Sequence, residues 1–285
     1  MHSTLISAQQ LHAHMGDPQW VIIDCRFDLT MPDAGQHAYA VAHIPGAVYA
    51  HLNRDLSAPV SSSSGRHPLP APHTFARQMA EWGIANDSQV VVYDADSGAY
   101  AARLWWMSRW LGHDAVAVLD GGFKAWQAAQ LPVSCATPSR SRTDFVAHPR
   151  PETAVGTTEV ACRSMDAGWR VIDARAPERF AGEIEPIDSI AGHVPGARNH
   201  PFSRNLNGDS TFRSRDALRS LFAPVLQQTP ASQLIAMCGS GVTACHTLLA
   251  LEHAGFTGAK LYPGSWSEWI RDSSRPIATG HTDND

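Results

Sequence analysis

The chain holds 285 residues, 44% hydrophobic and 17% charged, with a formal net charge of −5, enough length and apolar content for two ordinary domains and too much for a disordered chain. Scattered Lys and Arg in a net-negative chain argue against a nucleic-acid footprint, and no apolar run reaches the length of a membrane span. Five cysteines without a Cys-x2-Cys pair oppose a disulfide framework and a structural zinc site, and the amino terminus lacks the basic and then apolar regions of a secretory signal, so a soluble protein of the reducing cytoplasm is expected.

In chain order, Trp20-Val-Ile-Ile-Asp24-Cys-Arg26 comes first and His43-Ile-Pro-Gly-Ala47 second, followed by a long, polar, Ser-rich segment over 53–70. Long loops of this kind are often functional. Gln89-Val-Val-Val-Tyr93 and Ala115-Val-Ala-Val-Leu119 flank a helical stretch over 100–111. Such short continuous apolar runs imply strands buried on both faces, the pattern of parallel sheets covered by helices. After Gly121-Gly-Phe-Lys-Ala-Trp126, residues 131–151 carry Pro132, Pro138, Pro149 and Pro151 among Ser, Thr and Arg and read as a surface linker.

The same markers then return. Trp169-Arg-Val-Ile-Asp173-Ala-Arg175 repeats the first, His193-Val-Pro-Gly-Ala197 repeats the second 150 positions on, and Gly264-Ser-Trp-Ser-Glu-Trp269 repeats the third 143 positions on. Each copy is large enough to own a core, so the repeat is a domain duplication and not a solenoid. Asp24, Arg26, His43 and their partners Asp173, Arg175, His193 occur in both copies and are expected to make strand-end hydrogen bonds.

Within the second copy, Gln233-Leu-Ile-Ala-Met237 leads directly into Cys238-Gly-Ser-Gly-Val-Thr-Ala244, and a helical pattern follows from Cys245. Backbone N–H groups in such a strand-to-helix turn form an anion nest, reinforced by the helix dipole. Thiolate character, scarce in a cysteine titrating near 8.5, is favoured there. A phosphatase loop of the Cys-x5-Arg type would need a guanidinium six positions on, but residue 244 is Ala. Amides and the hydroxyls of Ser240 and Thr243 suit a sulfur anion better, so sulfur transfer is the expected chemistry. Gly239-Ser-Gly241 lacks the third glycine of a dinucleotide fingerprint. Cys245, at helical spacing, is expected in the core with Trp266 and Trp269.

Through Cys238 to Ala244 and the duplicated markers, the chain resembles the rhodanese superfamily over nearly its whole length, and the string CGSGVTA resembles the loop of its 3-mercaptopyruvate sulfurtransferases. The resemblance implies tandem α/β domains, each a central, mostly parallel sheet flanked by helices: a non-catalytic domain over 1–134, a linker over 135–155 and a catalytic domain over 156–285. In the first copy the cysteine position falls at Asp94, which cannot exchange sulfur and is expected, with Asp96, to cap the following helix.

The resemblance further implies Cys238 as the nucleophile that takes sulfur from a small anionic donor, holds it as a persulfide and passes it to thioredoxin, a small thiol or cyanide, without metal or organic cofactor. Gly239, Ser240, Gly241, Val242 and Thr243 would cradle the sulfur anion. Arg179, before the aromatic Phe180, matches the family's donor-binding arginine. A second arginine usually follows a Glu-Pro pair, yet Glu185-Pro186 is followed by Ile187, so Arg66 or Arg54 is expected to replace it. His67 and Ser240 match two members of a proton relay, with Asn53 at the acidic position and Asp55 nearby. The favoured donor is 3-mercaptopyruvate, thiosulfate is the alternative, and a persulfide carrier loaded by a partner protein is the reading from another class.

Overall fold

The computed structural model describes residues 1–281, which divide into two compact units. The first comprises Met1–Ala58, Leu69–Arg150 and Gly208–Phe212. Its chain order is β1 (Leu5–Ile6), α1 (Ala8–His12), β2 (Trp20–Asp24), α2 (Ala34–Val41), β3 (Val48–Tyr49), α3 (Pro72–Glu81), β4 (Gln89–Tyr93), α4 (Ala101–Trp110), β5 (Val116–Leu119) and α5 (Gly122–Ala128). Every strand pair is parallel, in the order β1-β5-β4-β2-β3. β4 is buried at all five positions, which is why its sequence runs apolar without alternation. Residues 134–150 are fastened to this unit: Arg140 donates to the Trp20 carbonyl at 2.7 Å, and Arg150 pairs with Asp114 at 2.7 Å.

The second unit comprises Pro59–Pro68, Pro151–Asn207 and Arg213 onward. It runs α6 (Thr157–Arg163), β6 (Arg170–Asp173), α7 (Pro177–Ala181), β7 (Arg198–Asn199), α8 (Arg215–Leu226), β8 (Leu234–Met237), α9 (Thr243–Ala254), β9 (Lys260–Leu261) and α10 (Ser265–Trp269). Its parallel sheet has the order β7-β6-β8-β9. This reproduces the β3-β2-β4-β5 part of the first sheet; at the place of β1 the described residues have only a parallel bridge between Ala154 and Leu261. The α/β architecture with parallel, helix-flanked sheets agrees with the reading of the sequence. No helix among the described residues is long and apolar enough to cross a membrane.

The shared markers perform the same structural work twice. At the end of β2, Arg26 forks onto Asp24 and reaches the Ala42 carbonyl at 2.6 Å; at the end of β6, Arg175 forks onto Asp173 and reaches the Gly192 carbonyl at 2.8 Å. Each buried carboxylate thus has a bidentate partner, the arrangement that burial of a charge demands. His43 stacks on Tyr39 at 4.0 Å and His193 on Phe180 at 3.7 Å, each with Nδ1 bound to the carbonyl of the residue on which it stacks. Trp266 and Trp269 are core residues of the second unit, as expected from their type.

Candidate active site

β8 ends at Met237 and α9 begins at Thr243, so residues 238–242 form the crossing from the carboxyl edge of a central strand to a helix amino terminus. The crossing is pinned by α10. The Cys238 amide donates to Ser265 Oγ at 3.0 Å, the Trp266 amide donates to the Cys238 carbonyl at 3.0 Å, and the Ser267 amide donates to the Gly239 carbonyl at 2.9 Å. Gly241 has φ +74°, and a Cβ there would lie 2.4 Å from the Pro263 carbonyl oxygen, so glycine is required both by the dihedral and by the contact. With the loop held this way, the amides of Ser240, Val242, Thr243 and Ala244 find no acceptor among the described residues. They are the orphan donors of a helix start, available to an anion.

Cys238 is only 2% exposed, and on that ground alone would rank with Cys25 at 1% and Cys245 at 0%. Its surroundings set it apart. Burial, followed by the carboxylates of Asp24, Asp94 and Asp55, pushes the Cys25 thiol well above its ordinary value and keeps it neutral. Cys245 donates its thiol to the Gly241 carbonyl at 3.3 Å inside α9, the core role expected of it. Cys238, by contrast, is next to cations. Burial lowers the Arg66 guanidinium from its ordinary value, and its proximity to Cys238 is the first influence opposing that. Burial works to lower Arg175, but the charge and hydrogen bond of Asp173, followed by Glu185 and Cys238, raise it above its ordinary value.

The loop's other neighbours come from two segments. Pro59–Pro68 belongs to the second unit and supplies Arg66 and His67. His67, buried, shares a 2.7 Å hydrogen bond between its Nδ1 and Ser240 Oγ. The Arg66 amide donates to Ser267 Oγ at 3.0 Å, fixing the backbone of this segment to the same short helix that pins the loop. A Cβ built on Gly239 would lie 2.9 Å from Arg66 Nη2, 3.6 Å from Arg179 Nη2 and 3.8 Å from Arg179 Nη1. Both guanidiniums therefore face the residue next to Cys238.

Two carboxylates that the sequence reading did not single out hold these cations. Glu185 accepts from Arg179 Nε at 3.0 Å and Nη2 at 2.6 Å and from Arg175 at 3.3 Å. Asp188 accepts from Arg66 Nη1 through one oxygen and from Arg179 Nη2 at 3.3 Å through the other. The partners of Arg179 are thus Glu185 and Asp188, rather than the nearer Glu178 or Glu183. Arg54 turns to Gln36 Oε1 at 2.6 Å and Asp55 accepts the His51 amide at 2.7 Å, both within the first unit. The Asn53 amide there donates to His51 Nδ1 at 3.1 Å.

Residues 7–129 and 157–272 each match the rhodanese-like domain family. The chain belongs to the rhodanese family. It is 47% identical over 278 residues to a Pseudomonas aeruginosa protein named "Probable 3-mercaptopyruvate sulfurtransferase", covering 97% of this chain and 98% of the relative. It is 33% identical over 301 residues to the Arabidopsis thaliana "Thiosulfate/3-mercaptopyruvate sulfurtransferase 2", covering 96% of this chain and 86% of that one. Among solved structures, SseA from Escherichia coli, described as a 3-mercaptopyruvate sulfotransferase, superposes with a TM-score of 0.81 at 34% identity, covering 93% of this chain and all of the other.

In this rhodanese-family chain the first unit carries the corresponding turn in another form. Asp94 follows β4 as Cys238 follows β8, and its carboxylate accepts the amides of Gly98 at 2.9 Å, Tyr100 at 2.8 Å and Ala101 at 3.1 Å. Burial raises the Asp94 carboxyl above its ordinary value, against the pull of those amides. Asp96 accepts the Ser97 amide at 2.5 Å. Asp94 therefore caps the turn and opening of α4, and the nest of the first unit is filled by its own side chain.

Proposed function

We propose that this rhodanese-family sulfurtransferase takes sulfur from 3-mercaptopyruvate and holds it as a persulfide on Cys238. The observation that carries this reading is the convergence of Arg66 and Arg179 on Gly239, beside a cysteine whose loop presents unengaged amides. The donor's carboxylate would take the guanidinium edges that face the loop, leaving its thiol toward Cys238. The Cys238 thiolate attacks the donor sulfur; the S–S bond forms as the C–S bond breaks, and the electron pair leaves with pyruvate enolate. Ser240, hydrogen-bonded to His67, stands on the loop as the route by which a proton reaches that enolate. The amides of Ser240, Val242, Thr243 and Ala244 stabilise the persulfide anion, as they do the thiolate. An acceptor thiol, of a small molecule or a protein such as thioredoxin, or cyanide then attacks the outer sulfur and returns Cys238.

On this reading the second unit, Pro59–Pro68 included, performs the chemistry, and the first unit with its filled turn supports it. The five cysteines are free, which suits the reducing cytoplasm as its place. Thiosulfate is the second donor, favoured by the absence of an arginine at Ile187. The deciding experiment measures kcat/KM for 3-mercaptopyruvate and thiosulfate side by side, with cyanide or a dithiol as acceptor and Cys238→Ser as control. Preference for mercaptopyruvate, abolished in the variant, is expected. Preference for thiosulfate would replace the donor, and turnover of neither would move the assignment to a carrier loaded by a partner protein.

A further inference from the structure

Asp188 follows a turn that Glu185 organises: Glu185 Oε1 accepts the amides of Ile187 and Asp188, each at 3.1 Å. The turn delivers the Asp188 carboxylate, 5% exposed, between two guanidiniums that are 24% and 16% exposed, and each of its oxygens takes one of them. Arg66 Nε is buried and bonds no group among the described residues, and Nη2 is turned to Gly239. A guanidinium with a buried donor left open has capacity for a further anion. Three cations, Arg66, Arg175 and Arg179, are thus matched by three carboxylates, Asp173, Glu185 and Asp188. The cluster keeps its hydrogen-bond donors toward the loop, but its formal charge is cancelled.

From this arrangement we infer that Asp188 selects the charge of the sulfur donor: by neutralising one of the two loop-facing arginines, it favours a monoanionic carboxylate donor and disfavours a dianion such as thiosulfate. The inference rests on the sulfurtransferase reading above. A monoanion needs directed hydrogen bonds, which Arg66 Nη2 and Arg179 Nη1 still offer. A dianion brings a second charge toward the Cys238 thiolate, and with Asp188 ionised no uncompensated cation remains in the cluster to receive it. Asp188 accepts from Arg66 and Arg179 and acts through them, as a positioning and charge-setting residue.

The test compares wild type, Asp188→Asn and Asp188→Glu, using kcat/KM for thiosulfate and for 3-mercaptopyruvate with cyanide as acceptor. Asp188→Ser serves as a second neutral variant should Asn fail to fold, and Asp216→Asn, at an exposed carboxylate on α8, controls for net charge at long range. The neutral variants should raise the thiosulfate-to-mercaptopyruvate ratio about tenfold, a unit of charge in a partly buried site being worth at least that. Glu and Asp216→Asn should keep the wild-type ratio. A purely structural role would depress both donors together, so an unchanged ratio in Asn and Ser overturns the inference, as does an equal rise in Glu. Failure of the wild type to use either donor defeats the sulfurtransferase reading itself and takes this inference with it.

Discussion

Arg66 is fixed by its amide on Ser267 and by Asp188 on Nη1, and presents Nη2 to the cysteine loop. The loss of a charge-assisted hydrogen bond to a bound carboxylate costs about 1.5–3 kcal/mol. Arg66→Ala should therefore raise the KM for 3-mercaptopyruvate at least tenfold, with a smaller change in kcat; an unchanged KM would remove Arg66 from the donor site. Its candidacy was legible as a gap: the family's second arginine is missing at Ile187, so a cation had to come from elsewhere. Glu185 and Asp188 were not legible. They lie six and nine residues from Arg179, and α7 ends at Ala181 between them, so no helical spacing announces the pairs. Cys238 was legible from its loop alone, although its burial gives no hint of reactivity.

The element that makes the site is the turn from β8 to α9, and it depends on the short α10 that follows. Gly241 is where the two meet: at φ +74° with Pro263 O in van der Waals reach of its Cα hydrogen position, there is no room for a side chain. Gly241→Ala should cost about 1–3 kcal/mol in urea denaturation through backbone strain, and activity should fall with it because the amides of Ser240, Val242, Thr243 and Ala244 lose alignment. A variant with wild-type stability and turnover would show that the turn tolerates another conformation. Strands, duplicated markers and the cysteine loop were readable because each depends on local pattern. The contributions of Ser265 and Ser267 were not, since a serine that anchors a loop through its hydroxyl resembles any serine. Membership of Pro59–Pro68 in the second unit was equally hidden, because its sequence neighbours on both sides belong to the first.

At the scale of the molecule, the second unit rests on buried polar groups as well as its apolar core. His200, 1% exposed, follows β7, hydrogen-bonds Asn205 at 3.0 Å and packs 4.7 Å from the Phe222 ring on α8. Burial lowers its pKa from 6.5 to about 4, with Arg204 adding to the effect and the Asn205 bond opposing it. The unfolded chain takes up the proton near 6.5 while the folded chain resists until about 4, so stability is full above the first value and declines as pH falls toward the second. The loss across that window should be about 3 kcal/mol. Denaturant titrations at pH 7 and pH 4.5 should show a shallower decline in His200→Gln than in wild type, and parallel declines would assign the acid sensitivity to other groups.

The filled turn at Asp94 has a consequence for how such a pair of copies can diverge. An anion nest left empty is a liability, with several amide dipoles aligned and nothing to answer them. One aspartate answers them permanently, and the first copy thereby becomes indifferent to whether any small molecule is ever present. In the second copy the amides of Ser240, Val242, Thr243 and Ala244 have no acceptor among the described residues and face the cysteine's turn. At the same place after the strand, the first copy carries a carboxylate that caps its own turn and the second carries a cysteine, so only the first turn supplies its own anion in the form of an aspartate.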